Sequence, residues 1–189
     1  MRHQHVLFYP LLLTEGIGLR TESIKALARK LPRLTGIEAS LIVVHILAYF
    51  GVIFWLLPPS KGIAFILTMN LLFGLYIGSV FAPNHKGMPI QMPDEEWDWL
   101  TRQVVTSRNI RSSYLTDFLY GGLNYQIEHH LFPAMPRANL GKAQRIIRAY
   151  CQTHGIAYHA TGVRQSYCEI LAYLHAVGAP LRPSTARAA

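Results

Sequence analysis

Two apolar runs constrain this chain more than any other feature. Ile37–Leu57 holds 21 residues whose charge-bearing members are Glu38 and His45, and Gly62–Ala82 holds 21 with no charged residue. At about 1.5 Å rise per residue, each is long enough as a helix to cross a hydrocarbon layer of roughly 30 Å. Pro58-Pro59-Ser60-Lys61 joins them, so the pattern predicts a transmembrane helical hairpin over residues 36–82. Basic residues crowd before the first run and recur after the second, while the turn holds only Lys61. That asymmetry predicts both hairpin ends on the cytoplasmic side. His45 would lie near mid-bilayer, where an interhelical hydrogen bond is the expected role.

The flanks read differently. Residues 1–35 are expected to form an interfacial segment. Val6–Leu19 is apolar but interrupted by Pro10, Glu15, Gly16 and Gly18. Arg20–Arg33 interleaves Arg20, Lys25, Arg29, Lys30 and Arg33 with Ile24, Leu27, Ala28 and Leu31, a basic amphipathic helix for a membrane surface, ended at Pro32. Residues 83–178 read as a water-facing helical cap and residues 179–189 as a frayed tail. Within the cap, the pattern predicts helices over 94–107, 140–154 and 165–177. Asn109–Ser113 reads as a loop, 156–163 as a short β-leaning stretch, Thr116 or Asp117 as the cap of the helix bearing the histidine pair, and Asn139 as the next cap.

Composition narrows the function. The net charge of +8 would suit nucleic acid, but the basic residues are scattered and no nucleic-acid module is evident. Cys151 and Cys168 stand far apart without a CxxC and read as free thiols of a reducing compartment. Lys142, Arg145 and Arg148 share one side of their helix and read as a solvated face, with an acidic electron donor or acyl headgroup as the functional alternative.

The stretch that carries chemistry is Gly121–Pro133, GGLNYQIEHHLFP. On a helix, Gln126 lies three residues before His129 and four before His130, so the three side chains share a face. Adjacent imidazoles and a carboxamide among Leu123, Ile127, Leu131 and Phe132 suit metal binding, and imidazole alone does not choose among iron, zinc, copper and nickel. Zinc-protease signatures are absent: there is no HExxH, and position 125, where HxxEH would need His, is Tyr. Glu128 points away from that face and reads as a supporting residue.

Gln126–His130 resembles the third histidine box, QxxHH, of membrane fatty-acid desaturases, in the form found in a bacterial acyl-lipid or acyl-CoA branch. The strings His5–Leu13, Phe81–Pro89 (FAPNHKGMP) and Thr106–Ile110 (TSRNI) resemble the same family in the same order. The resemblance implies an all-α integral membrane fold of the di-iron desaturase type, here its C-terminal half. It implies His129 and His130 as metal ligands, His85 as the accessory histidine after the second span, and Gln126 as a ligand directly or through water. It further implies iron, O2, a fatty-acyl substrate (acyl-CoA or acyl lipid), two electrons from a ferredoxin or cytochrome b5-type donor, and a multi-pass cell-membrane location with the box on the cytoplasmic side.

The family's first two histidine boxes do not occur in these 189 residues. A pair of irons takes roughly eight to ten donors, and His85, Gln126, His129 and His130 are four. The expectation is therefore a portion of a desaturase that is incomplete, and inactive, without upstream boxes. A non-catalytic membrane fragment and a related di-iron lipid hydroxylase are the alternatives. His3, His5, His154, His159 and His175 read as packing or surface residues.

Overall fold

The computed structural model describes residues 3–30 and 36–181. Pro32, Arg33 and the tail beyond residue 181 lie outside the described residues. The chain is mostly helical and divides into two compact units, Tyr9–Gly78 and Met1–Phe8 with Ser79–Ala189.

Three long helices run through the first half: α1 (Gln4–Lys30), α2 (Gly36–Leu56) and α3 (Pro59–His85). Among the described residues, α3 alone is long and apolar enough to cross a membrane; the apolar part of α2 is the shorter Ser40–Leu56. The expected break in the N-terminal segment does not occur. Helix α1 continues through Pro10, Gly16 and Gly18. Gly16 has a packing role in place of an interrupting one. A Cβ at Gly16 would lie 2.5 Å from the carbonyl oxygen of Asn70, and one at Gly74 would lie 2.6 Å from that of Leu13. Helices α1 and α3 therefore meet backbone to backbone within the Tyr9–Gly78 unit, a contact only hydrogen side chains permit. The Arg20 guanidinium lies 5.4 Å from the Tyr49 ring centroid in the same unit. His45 is exposed on α2 and makes no hydrogen bond among the described residues, contrary to the interhelical role expected of it.

The other unit is built from short elements: α4 (Trp99–Val105), β1 (Asn109–Ile110), α5 (Tyr114–Tyr120), α6 (Gln126–Leu131), α7 (Arg137–Thr153), β2 (Ala160–Thr161) and α8 (Val163–Val177), with a 3-10 turn at Ala179–Leu181. Helix α4 begins later than expected. Asp98 caps it by accepting from the Thr101 amide at 3.0 Å, leaving Asp94-Glu95-Glu96 in the preceding turn. The histidine pair has its own helix. Ser113 and Thr116 form a capping box on α5, which stops at Gly121 in the left-handed region (φ 55°), and α6 starts five residues later. Thr116 and Asp117 therefore do not cap the helix that carries the box. Helix α7 starts at Arg137 behind Pro136, so Asn139 is not its cap.

The all-α expectation also needs amending. The 109–113 loop contributes β1, which pairs in parallel with β2, Asn109 opposite Ala160 and Ile110 opposite Thr161. One core gathers Val104, Ile127, Leu131, Ala143, Ile147 and Cys151 from α4, α6 and α7, and a second gathers Val80, Ile110 and Tyr120. Burial pushes the Cys151 thiol up, which leaves it a packing residue.

The glycine crossing makes a paired prediction. Gly74→Ala should force α1 and α3 apart and cost about 1–3 kcal/mol. Gly18→Ala, which meets nothing within 4 Å, should gain about 0.5–1 kcal/mol from helix propensity. Thermal unfolding in detergent followed by circular dichroism measures both; equal shifts would refute the close crossing.

Candidate metal centre

The C-terminal end of α3 presents His85, and its placement is set by the four carbonyls that any helix leaves unpaired at its end. Ala82 O accepts from the Lys86 amide (3.0 Å), Asn84 O from the Arg108 amide (2.9 Å) and His85 O from the Met88 amide (3.2 Å). The remaining carbonyl, Pro83 O, accepts from Arg108 Nε at 2.6 Å, while Nη2 donates to Lys86 O at 2.8 Å. Arg108 is fully buried, and its Nη1 pairs with Glu169 on α8. A guanidinium at a helix C-terminus also meets the negative end of the helix dipole. Pro83, having no N–H, leaves Ser79 O free, and Tyr167 Oη donates to it at 2.8 Å.

The neighbouring residue holds α6. Tyr125 offers no side-chain cap there, and Asn109 acts in its place: its Oδ1 accepts from the Ile127 amide at 2.9 Å. Asn109 Nδ2 donates to Glu128 Oε2 (2.6 Å), and Tyr158 Oη donates to Glu128 Oε1 (2.8 Å). Glu128 is fully buried. Burial pushes its carboxyl up, and the two hydrogen bonds oppose that shift. It faces this network, away from the imidazoles. One step on, the Ile110 amide donates to Asn124 O at 3.0 Å.

These contacts bring the expected site residues together. The His85 and His130 ring centroids lie 5.0 Å apart, and those of His129 and His130 lie 6.2 Å apart. Gln126 Nε2 is 3.1 Å from His85 Nε2, and Gln126 Oε1 accepts from Asn84 Nδ2 at 3.2 Å. His130 Nδ1 donates to Gln103 Oε1 at 3.2 Å. That bond leaves His130 Nε2 as the lone-pair nitrogen, the form in which imidazole binds metal, while the Gln126 amide N–H donates to His85 Nε2. Burial, reinforced by His85 and His129, holds His130 below its ordinary range and so neutral.

The set fits part of a metal centre. An imidazole nitrogen about 2.1 Å from a metal puts its ring centroid roughly 3.2 Å away, so two rings on one metal stand about 4.5–6.4 Å apart. Both observed spacings lie in that range. Yet among the described residues no three His, Cys, Asp or Glu side chains converge on one point. His85 is exposed, and His129 and His130 are half-buried, so the donors open to the surface of their unit. Of the other histidines, His159 Nε2 pairs with Glu169 Oε2 at 3.0 Å, and His154 stacks on Tyr150 with centroids 4.0 Å apart.

Sequence reasoning missed Asn84, Gln103, Arg108, Asn109 and Glu169. Their signal was weak. Asn84 adjoins His85, and Arg108-Asn109 sits inside a string whose family resemblance carried no stated role.

Comparison with known proteins bears on this geometry. A family model described as fatty acid desaturase matches residues 1–162. An acyl-lipid (9-3)-desaturase of Physcomitrium patens is 33% identical over 141 residues, 75% of this chain and 26% of that protein. A fatty acid desaturase 2-like protein of Mus musculus is 41% identical over 85 residues, 44% of this chain and 18% of that one. An acyl-lipid 8-desaturase of Rebecca salina is 31% identical over 159 residues, 83% of this chain and 36% of that one. The chain thus spans about a fifth to a third of the length of these relatives. No solved structure matches it.

The Arg108 clasp predicts a pH dependence. Burial alone would raise Glu169, but hydrogen bonds from His159, Gln165 and Arg108 outweigh it and hold the carboxyl below its ordinary value of 4.5. A depressed acid stabilises the fold above its unfolded pKa, and that contribution disappears as pH falls through the folded value. Glu169→Gln should therefore cost about 1–3 kcal/mol at neutral pH. The gap to wild type should close below pH 4.5. Denaturant unfolding between pH 7 and 3 checks this; a pH-independent gap would count against the clasp.

Proposed function

This chain belongs to the fatty acid desaturase family, and on that footing we propose that it is the portion of a membrane desaturase that carries the third histidine box. The whole enzyme introduces a double bond into a long acyl chain, using O2 and two electrons from a ferredoxin or cytochrome b5-type donor. The observation that carries the reading is the cluster of His85, His129 and His130, with ring centroids at spacings that suit a shared metal.

Two irons are the metals of this reading, and they supply the oxidising power needed to remove hydrogens from an unactivated alkyl chain. His85, His129 and His130 would hold them. Gln126 would serve either as an oxygen donor released from Asn84 or by orienting His85. The donors open to the surface of their unit, which supports a centre completed by histidines from beyond these residues. Leu123, Leu131 and Phe132 flank the box with apolar surface, suited to an acyl chain and to excluding water. We read α2 and α3 as a hairpin crossing the cell membrane, with the box on the cytoplasmic side, supported by the basic residues at both ends. The QxxHH form is that of an acyl-lipid or acyl-CoA branch. The bacterial assignment rests on the box alone, since the relatives above come from a moss, a mouse and an alga.

The test is complementation. The chain joined to the upstream histidine-box segment of the Physcomitrium patens relative should convert membrane fatty acids to products with one added double bond, read by gas chromatography–mass spectrometry. His129→Ala and His130→Ala should each abolish conversion while leaving membrane insertion intact. Alcohol products would mean the hydroxylase alternative. A membrane-inserted chimera that holds no iron and forms no product would favour the non-catalytic one.

A further inference from the structure

The unit that holds the imidazoles also contains a cleft of about 320 Å³, lined by Asp117, Tyr125, Arg137, Ala138 and three glycines, Gly121, Gly122 and Gly141. The glycines keep it open. A Cβ at Gly122 would stand 3.3 Å from the Arg137 Cβ, and one at Gly141 would stand 3.1 Å from the Tyr125 hydroxyl. The cleft holds one charge of each sign. Arg137 and Asp117 both line it, yet no ion pair joins them, and among the described residues Arg137 enters no salt bridge. The carboxylate is immobilised where it stands: Asp117 accepts from Ser112 Oγ and Asn124 Nδ2, each at 2.7 Å, and from Tyr125 Oη at 3.4 Å. Tyr125 is nearly buried, and it meets that acid through its hydroxyl.

A cleft that holds a fixed carboxylate and an unpaired guanidinium apart is complementary to a ligand carrying its own separated charges. We propose that it is the headgroup subsite for a zwitterionic phospholipid, with the phosphate diester on Arg137 and the ammonium group against Asp117. Guanidinium binds phosphate through charge-assisted hydrogen bonds. The fixed carboxylate offers an ammonium group an opposite charge in a partly enclosed setting. The uncapped first turn of α7 adds positive potential on the Arg137 side. Size points the same way. The volume is at the small end of the roughly 300–1,000 Å³ found for small-molecule sites, which suits a headgroup and not the nucleotide portion of a coenzyme A thioester. A polyanion would also set phosphate against Asp117.

The proposal rests on the desaturase reading for the acyl part of its ligand, while its test does not. The full 189-residue chain in maltoside micelles would be titrated with dihexanoylphosphatidylcholine, dihexanoylphosphatidylglycerol and coenzyme A, with binding followed by 31P NMR. The choline lipid should bind saturably and at least about tenfold more tightly than the other two. Arg137→Gln should weaken it by a similar factor, and Asp117→Asn should erase the preference for choline over glycerol. Ala138→Phe, at an exposed helical position, should block the cleft without removing charge, and it keeps the test sound should Arg137→Gln unfold. Equal or tighter binding of the glycerol lipid or coenzyme A, or a choline affinity that none of the variants changes, overturns the proposal. Binding needs neither electrons nor metal, so loss of desaturation and loss of this subsite are separate outcomes.

Discussion

Everything that faces the candidate centre depends on one buried cation. Arg108 has no solvent exposure, and its guanidinium ends in two backbone carbonyls at the close of α3 and a carboxylate on α8. Removing a guanidinium from water is costly, and an unpaired one would be strongly destabilising. Here all three nitrogens have acceptors. The partners were themselves in need: Pro83 O and Lys86 O are helix-end carbonyls with nothing further along α3 to pair with. The clasp thus resolves two unfavourable burials with one another and fixes the turn from which His85 projects. Its neighbour Asn109 does the same for the opposite partner, supplying the cap that the six-residue α6 lacks. Two consecutive residues hold both sides of the imidazole cluster.

The legible parts of this architecture were local. Apolar runs of 21 residues and a Gln at i−3 and i−4 from paired histidines are properties of a single segment, so α2, α3 and the shared face of the box could be read directly. The clasp could not. Arg108 reaches Pro83 across 25 residues and Glu169 across 61, and Asn84 meets Gln126 across 42. An Arg-Asn pair in a polar loop gives no sign that its arginine will be fully buried. Glycine was misread for a related reason. Gly16 looked like a helix interruption because propensity is a property of isolated helices, while its contact with Gly74 belongs to a pair of them. The boundary between α5 and α6 was missed because the positive φ of Gly121 and Gly122 turns the chain where periodicity alone would run on.

The groups that orient the imidazoles share a property that the buried charges do not. His85 Nε2 accepts from the Gln126 carboxamide, and His130 is held by a second carboxamide, Gln103. Both are neutral. Three charged residues of this unit, Glu128, Arg108 and Glu169, are each consumed by their own hydrogen bonds. A carboxylate directly on either ring would favour imidazolium and compete with metal binding in its absence. A neutral amide instead sets the tautomer without adding charge, while burial and the neighbouring His85 and His129 lower the basicity of His130. The arrangement therefore separates two tasks that conflict electrostatically: charge placed in the scaffold where it can be fully paired, and neutral dipoles placed where the donors must remain free.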